Sequence, residues 1–163
     1  MDESLEMALS SLDWTRSMHR HLTVWFWVAL SWITPQGQRV GINLSHGVYP
    51  HSNLNDTAEI GLENAIWIDD VVLPINVPLV VEGAPGGGFV VVGKQWHCST
   101  EDGSLALTYV PAGIVHSTTP NIGVMAADMR HSFGIYQGVL RQNGQTITFS
   151  NVPGILEDHW ALW

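Results

Sequence analysis

Residues 21–45 read HLTVWFWVALSWITPQGQRVGINLS, and this stretch decides the architecture. A long apolar run carries Trp25, Trp27 and Trp32. Thr34-Pro35-Gln36-Gly37-Gln38 then turns the chain, and Val40-Gly41-Ile42-Asn43-Leu44 runs back. β-Branched and aromatic residues bounded by Pro and Gly spell a β-hairpin rather than a helix. Alternation places Trp25, Trp27 and Ala29 on one side of the first strand and Val24, Phe26, Val28 and Leu30 on the other. Both sides are apolar. Such a strand is central in a sheet, or one of its faces looks into a lined interior.

Outward from this hairpin, the same patterning repeats. Leu5, Leu9 and Leu12 are spaced for a short N-terminal helix, so residues 1–12 read as a helix or a tail. Residues 45–59 form a polar loop, long enough to be functional rather than a tight connection. Short strands are expected at 63–68 and 71–73, and Pro74 and Pro78 place the next stretch, 74–82, at an edge or a bulge. Ala84-Pro85-Gly86-Gly87-Gly88 is a turn. Residues 89–92 follow as a strand with 95–99 as its continuation, and 105–110 as another, ended by Pro111-Ala112-Gly113. Residues 122–130 and 133–141 read as two further strands. Asn143-Gly144 is the strongest hairpin signal in the chain and predicts a type I′ turn. Residues 145–152 return, and 153–163 close the chain. Eight or nine antiparallel strands with short connections, no βαβ spacing and little helix at the termini predict an all-β protein. An up-and-down barrel over residues 13–163 is preferred to a sandwich, because closure removes exposed edges.

Composition narrows the function classes. The chain has 163 residues, the size of one domain, and 45% of them are apolar, enough for a core. The formal charge is −9 with one Lys, so no basic patch exists for nucleic acid. The longest apolar run is too short to span a bilayer. The acidic start MDESLEMALSSLD lacks the basic region of a signal peptide, and one cysteine, Cys98, forms no internal disulfide. These features predict a cytoplasmic protein. Eight Trp residues are heavy use for this length, and most must be buried or line a cavity.

Several side chains carry candidate chemistry. Glu63, Ala65 and Trp67 share a face, and a carboxylate beside an indole in an apolar interior would have a raised pKa and serve as a general acid. Without such an interior, Glu63 is a solvated residue at a strand end. Glu157-Asp158-His159 offers a carboxylate–imidazole pair for proton transfer, or a polar helix turn with His159 exposed. His19 and His21 have metal-ligand spacing, but no acid follows them and no metal is expected. Asp128 and Arg130 share a face, either as an interior pair orienting a ligand or as an ordinary surface pair. The Gly-rich turn lacks the lysine and helix of a phosphate loop, and no nucleophile elbow exists. No cofactor is implied.

The segments LDWTRSMHRHLTVWFW, GINL, ENAIW with its acidic turn, EDGSLALTYVP and GILEDHWALW occur in that order. Together they resemble the C-terminal half of a largely bacterial family, the domain of unknown function numbered 2804. The resemblance covers residues 12–163. Asp70 departs from it, since Gly is expected there, and implies a slightly different turn. Members are about twice this length and look distantly similar to the calycin-like group of tocopherol cyclase and carotenoid hydratases. The resemblance implies a lipocalin-like barrel and an apolar ligand, and brings no residue roles with it. A half-length member would expose the surface that meets the other half, and a homodimer would re-cover it.

Three readings follow. The first is a barrel that binds an apolar or amphipathic small molecule in a Trp-lined interior, with Trp25, Trp27 and Trp67 as walls and Asn43 and Glu63 as polar handles. The second is a cofactor-independent isomerase, hydratase or cyclase on the same scaffold, with Glu63 or His159 as the acid. The third is a homodimeric structural or interaction module.

Overall fold

A computed structural model describes residues 21–47, 63–82, 92, 94–119, 122–123 and 125–162. The N-terminal tail or helix, most of the polar loop, His19 and the 89–92 strand apart from Val92 lie outside them. All regular structure among the described residues is β. The strands are β1 (Leu22–Ile33), β2 (Arg39–His46), β3 (Ala65–Ile68), β4 (Val71–Pro74) and β5 (Leu79–Glu82), then β6 (Trp96–Thr100), β7 (Leu105–Thr119), β8 (Ala126–Gln142) and β9 (Gln145–Leu162).

They form one antiparallel sheet in the order β4-β3-β2-β1-β9-β8-β7-β6-β5, curled strongly into a half-barrel. Every neighbour except the β1–β9 pair is also a neighbour in sequence, so the sheet is an up-and-down meander joined through its first and last strands. The two edge strands, β4 and β5, are linked only by residues 75–78. A link that short spans no more than about 18 Å, so the sheet must curl until its edges approach. The link is held at both ends: Ile75 N–H donates to the Asn64 carbonyl at 2.8 Å, and Glu101 N–H donates to the Pro78 carbonyl at 3.0 Å.

Phe26 on β1 meets Trp96 on β6 with ring centroids 5.5 Å apart. Three strands separate them in the sheet, so their shared face is the concave one. Phe26, Val28, Leu30, Trp32, Ile42, Leu44, Leu107, Tyr136 and Leu156 are buried on this face. The half-barrel is filled by its own side chains. The alternate residues of β1, among them Trp25 and Trp27, stand on the convex face, outside the barrel and not in its interior.

Glycines let the wall close over large rings. Gly134 and Gly154 face each other across β8 and β9. A methyl group on Gly134 would lie 2.3 Å from the Val110 carbonyl and 2.7 Å from the Tyr109 ring. One on Gly154 would lie 2.8 Å from both the Ala29 carbonyl and the Tyr136 ring. The two tyrosine rings pack with centroids 4.4 Å apart over this glycine pair.

Three expectations need correction. Residues 122–130 and 133–141 are not two strands but one continuous β8, because His131 and Ser132 both find partners without leaving the sheet. Ser132 Oγ lies 2.8 Å from the Tyr109 hydroxyl, and His131 Nδ1 lies 3.3 Å from Glu157. Pro111-Ala112-Gly113 does not end β7; the register shifts there as a β-bulge and the strand continues to Thr119. Glu157-Asp158-His159 is not a helix turn, since it lies within β9. The hairpin at Asn143 (φ 50°) and Gly144 (φ 76°) has the two positive φ values that a type I′ turn requires.

Candidate functional site

The registers assemble a row on the convex face. Trp27 on β1 is opposite Glu157 on β9, which is opposite His131 on β8. One step along, Trp25 is opposite His159. On a strand, positions two apart share a face, so Glu157 and His159 stand together and Asp158 turns inward.

Glu157 is the centre of this cluster. Trp25 Nε1–H donates to its Oε1 at 3.0 Å. His131 Nδ1 approaches its Oε2 at 3.3 Å, and His159 Nδ1 approaches Oε1 at 3.5 Å. The 3.5 Å approach is an electrostatic contact rather than a formed hydrogen bond, and it leaves the buried Nδ1 of His159 without a bonded acceptor. Burial raises the Glu157 carboxyl. His159, Trp25 and His131 together outweigh burial and hold the carboxyl below its ordinary value. An ionised carboxylate only accepts, so the His131 ring presents its Nδ1–H to Glu157. Trp25 also packs on the His159 ring at a centroid distance of 3.8 Å.

Trp27 and Asn43 extend the site. Trp27 Nε1–H donates to Asn43 Oδ1 at 2.8 Å, and Asn43 Nδ2–H donates to the Glu63 carbonyl at 3.0 Å. Glu63 joins the group through its main chain, and its side chain is exposed at the turn before β3. Its neighbour Asn64 is the buried member of the pair, accepting the Ser45 N–H at 2.6 Å. Trp67 lies on the same convex face over Gly41, where an added Cβ would meet its ring at 3.7 Å. Trp25, Trp27, Asn43 and His159 are thus brought together. Glu63 touches them by its carbonyl, and Trp67 on β3 stands two strands away from Trp27 on β1. His131 and Phe133, ring centroids 5.1 Å apart, complete the surface. Neither was singled out by sequence reasoning, because β8 meets β9 through a register that no local pattern reveals.

Asp128 and Arg130 lie on the concave side. Arg130 is in register with Asp158 and its Nε is 3.8 Å from Asp128; His116 Nε2 lies 2.9 Å from the same carboxylate. This is a polar rim at the Ala126 end of the barrel interior. Arg39 pairs with Asp70 at 2.9 Å at the β3–β4 turn, where Asp69 takes a φ of 53°. Among the described residues no group of His, Cys, Asp and Glu is arranged to hold a metal ion. No helix among them is long and apolar enough to cross a membrane.

The fold and this surface define a small all-β barrel domain whose outer wall carries an indole–imidazole–carboxylate cluster. The family model described as "Domain of unknown function (DUF2804)" matches residues 2–163, and the chain belongs to that family. No curated protein matches the chain. No solved structure matches it either.

Proposed function

We propose that this domain binds an amphipathic small molecule against the Trp25–Trp27 face. Its apolar part would lie on the indoles, and a polar group would be taken by His131 and His159. The observation that carries this reading is Glu157, a half-buried carboxylate shared by two imidazoles and an indole. Ligand sites combine aromatic walls with a few placed polar groups. The incomplete contact of His159 Nδ1 with Glu157 supports it further, since such contacts often tighten only when a ligand arrives. The filled interior directs the ligand to the outer wall. A cytoplasmic location belongs to this reading, supported by the single buried Cys98. The test is quenching of tryptophan emission by a panel of lipophilic acids and alcohols, backed by native mass spectrometry of the purified protein. A saturable signal lost in Trp25→Ala and Glu157→Gln supports the site. Quenching that survives both substitutions overturns it.

The same geometry favours a catalytic extension. A carboxylate that holds an imidazole by Nδ1 leaves Nε2 to exchange a proton with a bound molecule. His131, 3.3 Å from Glu157, is held in this way; His159 takes the same role as acid or base where its 3.5 Å contact closes on a bound molecule, and Glu63 meets the cluster by its carbonyl.

Self-association is the competing reading. Phe133 (51% exposed) and Val115 (56%) flank His131 on this wall, an apolar surface that a second copy would cover. A monomer at micromolar concentration by sedimentation velocity removes that reading and leaves the first intact.

A further inference from the structure

β9 has a second open edge that the sheet order does not reveal. Its pairing with β1 stops at Leu30 and Gly154. Residues 145–152 are bonded to β8 alone. The reason is local. Ser150 and Asn151 together oppose Gln137, Asn151 takes a φ of 58°, and the strand bends at this bulge just before Pro153. A cleft of about 900 Å³ opens between this edge and the β1–β2 turn, lined by Trp32 and Ile33, the turn residues, and Gln145 to Pro153. Trp32 and Phe149 pack at 4.3 Å in its floor.

The backbone groups that face the cleft follow from the hairpin. Gln142 and Gln145 flank a two-residue type I′ turn and so form a hydrogen-bonded pair. Pairs then alternate, so the N–H and C=O of Thr146 and Thr148 point away from β8, into the cleft. No described residue takes them.

The two strands at the ends of the sheet are protected and this stretch of β9 is not. β4 and β5 have four residues each, ending in Pro74 and Glu82. Short length, proline and charge are the usual ways of blunting an edge. The β9 edge is twice as long, β-branched and aromatic, and no charged residue lines the cleft.

We propose that this cleft docks an extended, uncharged peptide segment that adds to β9 as a strand. The cleft, about 900 Å³ with the β1–β2 turn on one side and β9 on the other, has room for a single extended segment. Thr146 and Thr148 supply the main-chain bonds, and Ile147 and Phe149 set which alternate positions of the segment are apolar. This inference is independent of the convex-face site.

The probe is a capped synthetic peptide of sequence QTITFSNV, with a control carrying proline at its second and fourth positions. Amide exchange of the intact protein is followed by NMR. On saturation, the Thr146 and Thr148 amides are expected to slow at least tenfold, with no change from the control. Thr148→Pro removes a cleft-facing N–H without breaking a bond to β8, and is expected to weaken binding at least tenfold. Its fold is checked by the Leu140 and Ile147 amides, which stay protected. Unchanged exchange at Thr146 and Thr148 in the wild-type protein overturns the proposal. Protection of these amides that rises with protein concentration, without peptide, also overturns it by assigning the edge to a second copy.

Discussion

Burial alone would raise the Glu157 carboxyl, yet His159, Trp25 and His131 hold it below its ordinary value. A depressed folded value stabilises the native state above the unfolded value, near pH 4.5, and that stabilisation is lost as pH falls through the folded value. Glu157→Gln is therefore expected to cost about 1–3 kcal/mol at pH 7 by urea denaturation. The gap from wild type should narrow below pH 4.5. A gap that persists unchanged to the acid side would mean that the charge is not what the neighbours recognise. Asn43→Ala probes the other half of the wall. It strips the acceptor from Trp27 Nε1 and the donor from the Glu63 carbonyl. A loss of about 1–2 kcal/mol in a thermal or urea melt is expected, and Trp27→Phe should abolish most of the further effect of Asn43→Ala in a double-mutant cycle. Only part of this was legible beforehand. Glu157-Asp158-His159 offered either a carboxylate–imidazole pair or a polar helix turn, and the sequence did not decide between them. His131 comes from another strand, and Trp25 lies 132 residues from Glu157, so their roles depend on registers that only the folded sheet defines. Trp25 and Trp27 were legible as special but not as outward-facing. An alternating strand with two apolar faces does not say which face is concave.

Strand identity was legible and strand length was not. The β1–β2 hairpin and the Asn143-Gly144 turn are written in local chemistry, because positive φ selects Gly and Asn. β7, β8 and β9 run through residues that ordinarily punctuate strands: Pro111 at a bulge, His131-Ser132 in partnered positions, Pro153-Gly154 beneath a ring. Tertiary packing overrides local preference at each. Gly134 gives this idea a test. Its replacement by Ala drives a methyl group into a carbonyl oxygen and an aromatic ring. A cost of about 1–3 kcal/mol or more is expected from overpacking. Gly144→Ala meets open space but must hold a φ of 76°, so its cost is conformational, about 1–2 kcal/mol. The two differ in kind. Restoring space with Tyr109→Leu should rescue part of the Gly134→Ala loss and none of the Gly144→Ala loss. Equal behaviour of the two pairs would mean that the tyrosine does not constrain the glycine.

The whole molecule is a meander closed by β1 against β9 and left open between β4 and β5. The 75–78 link carries that seam. Local opening should therefore begin at β5 and β6, where pairing is short, and spread last to the long β7–β8–β9 ladder. Cys98 reports on this, because it lies on β6 facing the core. Burial pushes its thiol up to about 12. At pH 8 the native thiolate is then roughly one part in ten thousand, far below that of an ordinary thiol, and the sulfur is also shielded. Alkylation by iodoacetamide is expected to proceed only through opened states. Its dependence on added urea distinguishes them. A rate that rises steeply, with the slope of global unfolding, means that β6 opens only when the entire sheet does. A slow rate that barely responds to low urea means that β5 and β6 peel from the seam on their own, exposing little surface. Modification at the speed of a free thiol would contradict the filled interior itself. The seam argument favours the second outcome, because β5 is held to β6 by four paired residues and the Glu101–Pro78 bond beside them, whereas β8 and β9 share a ladder running nearly the length of both strands.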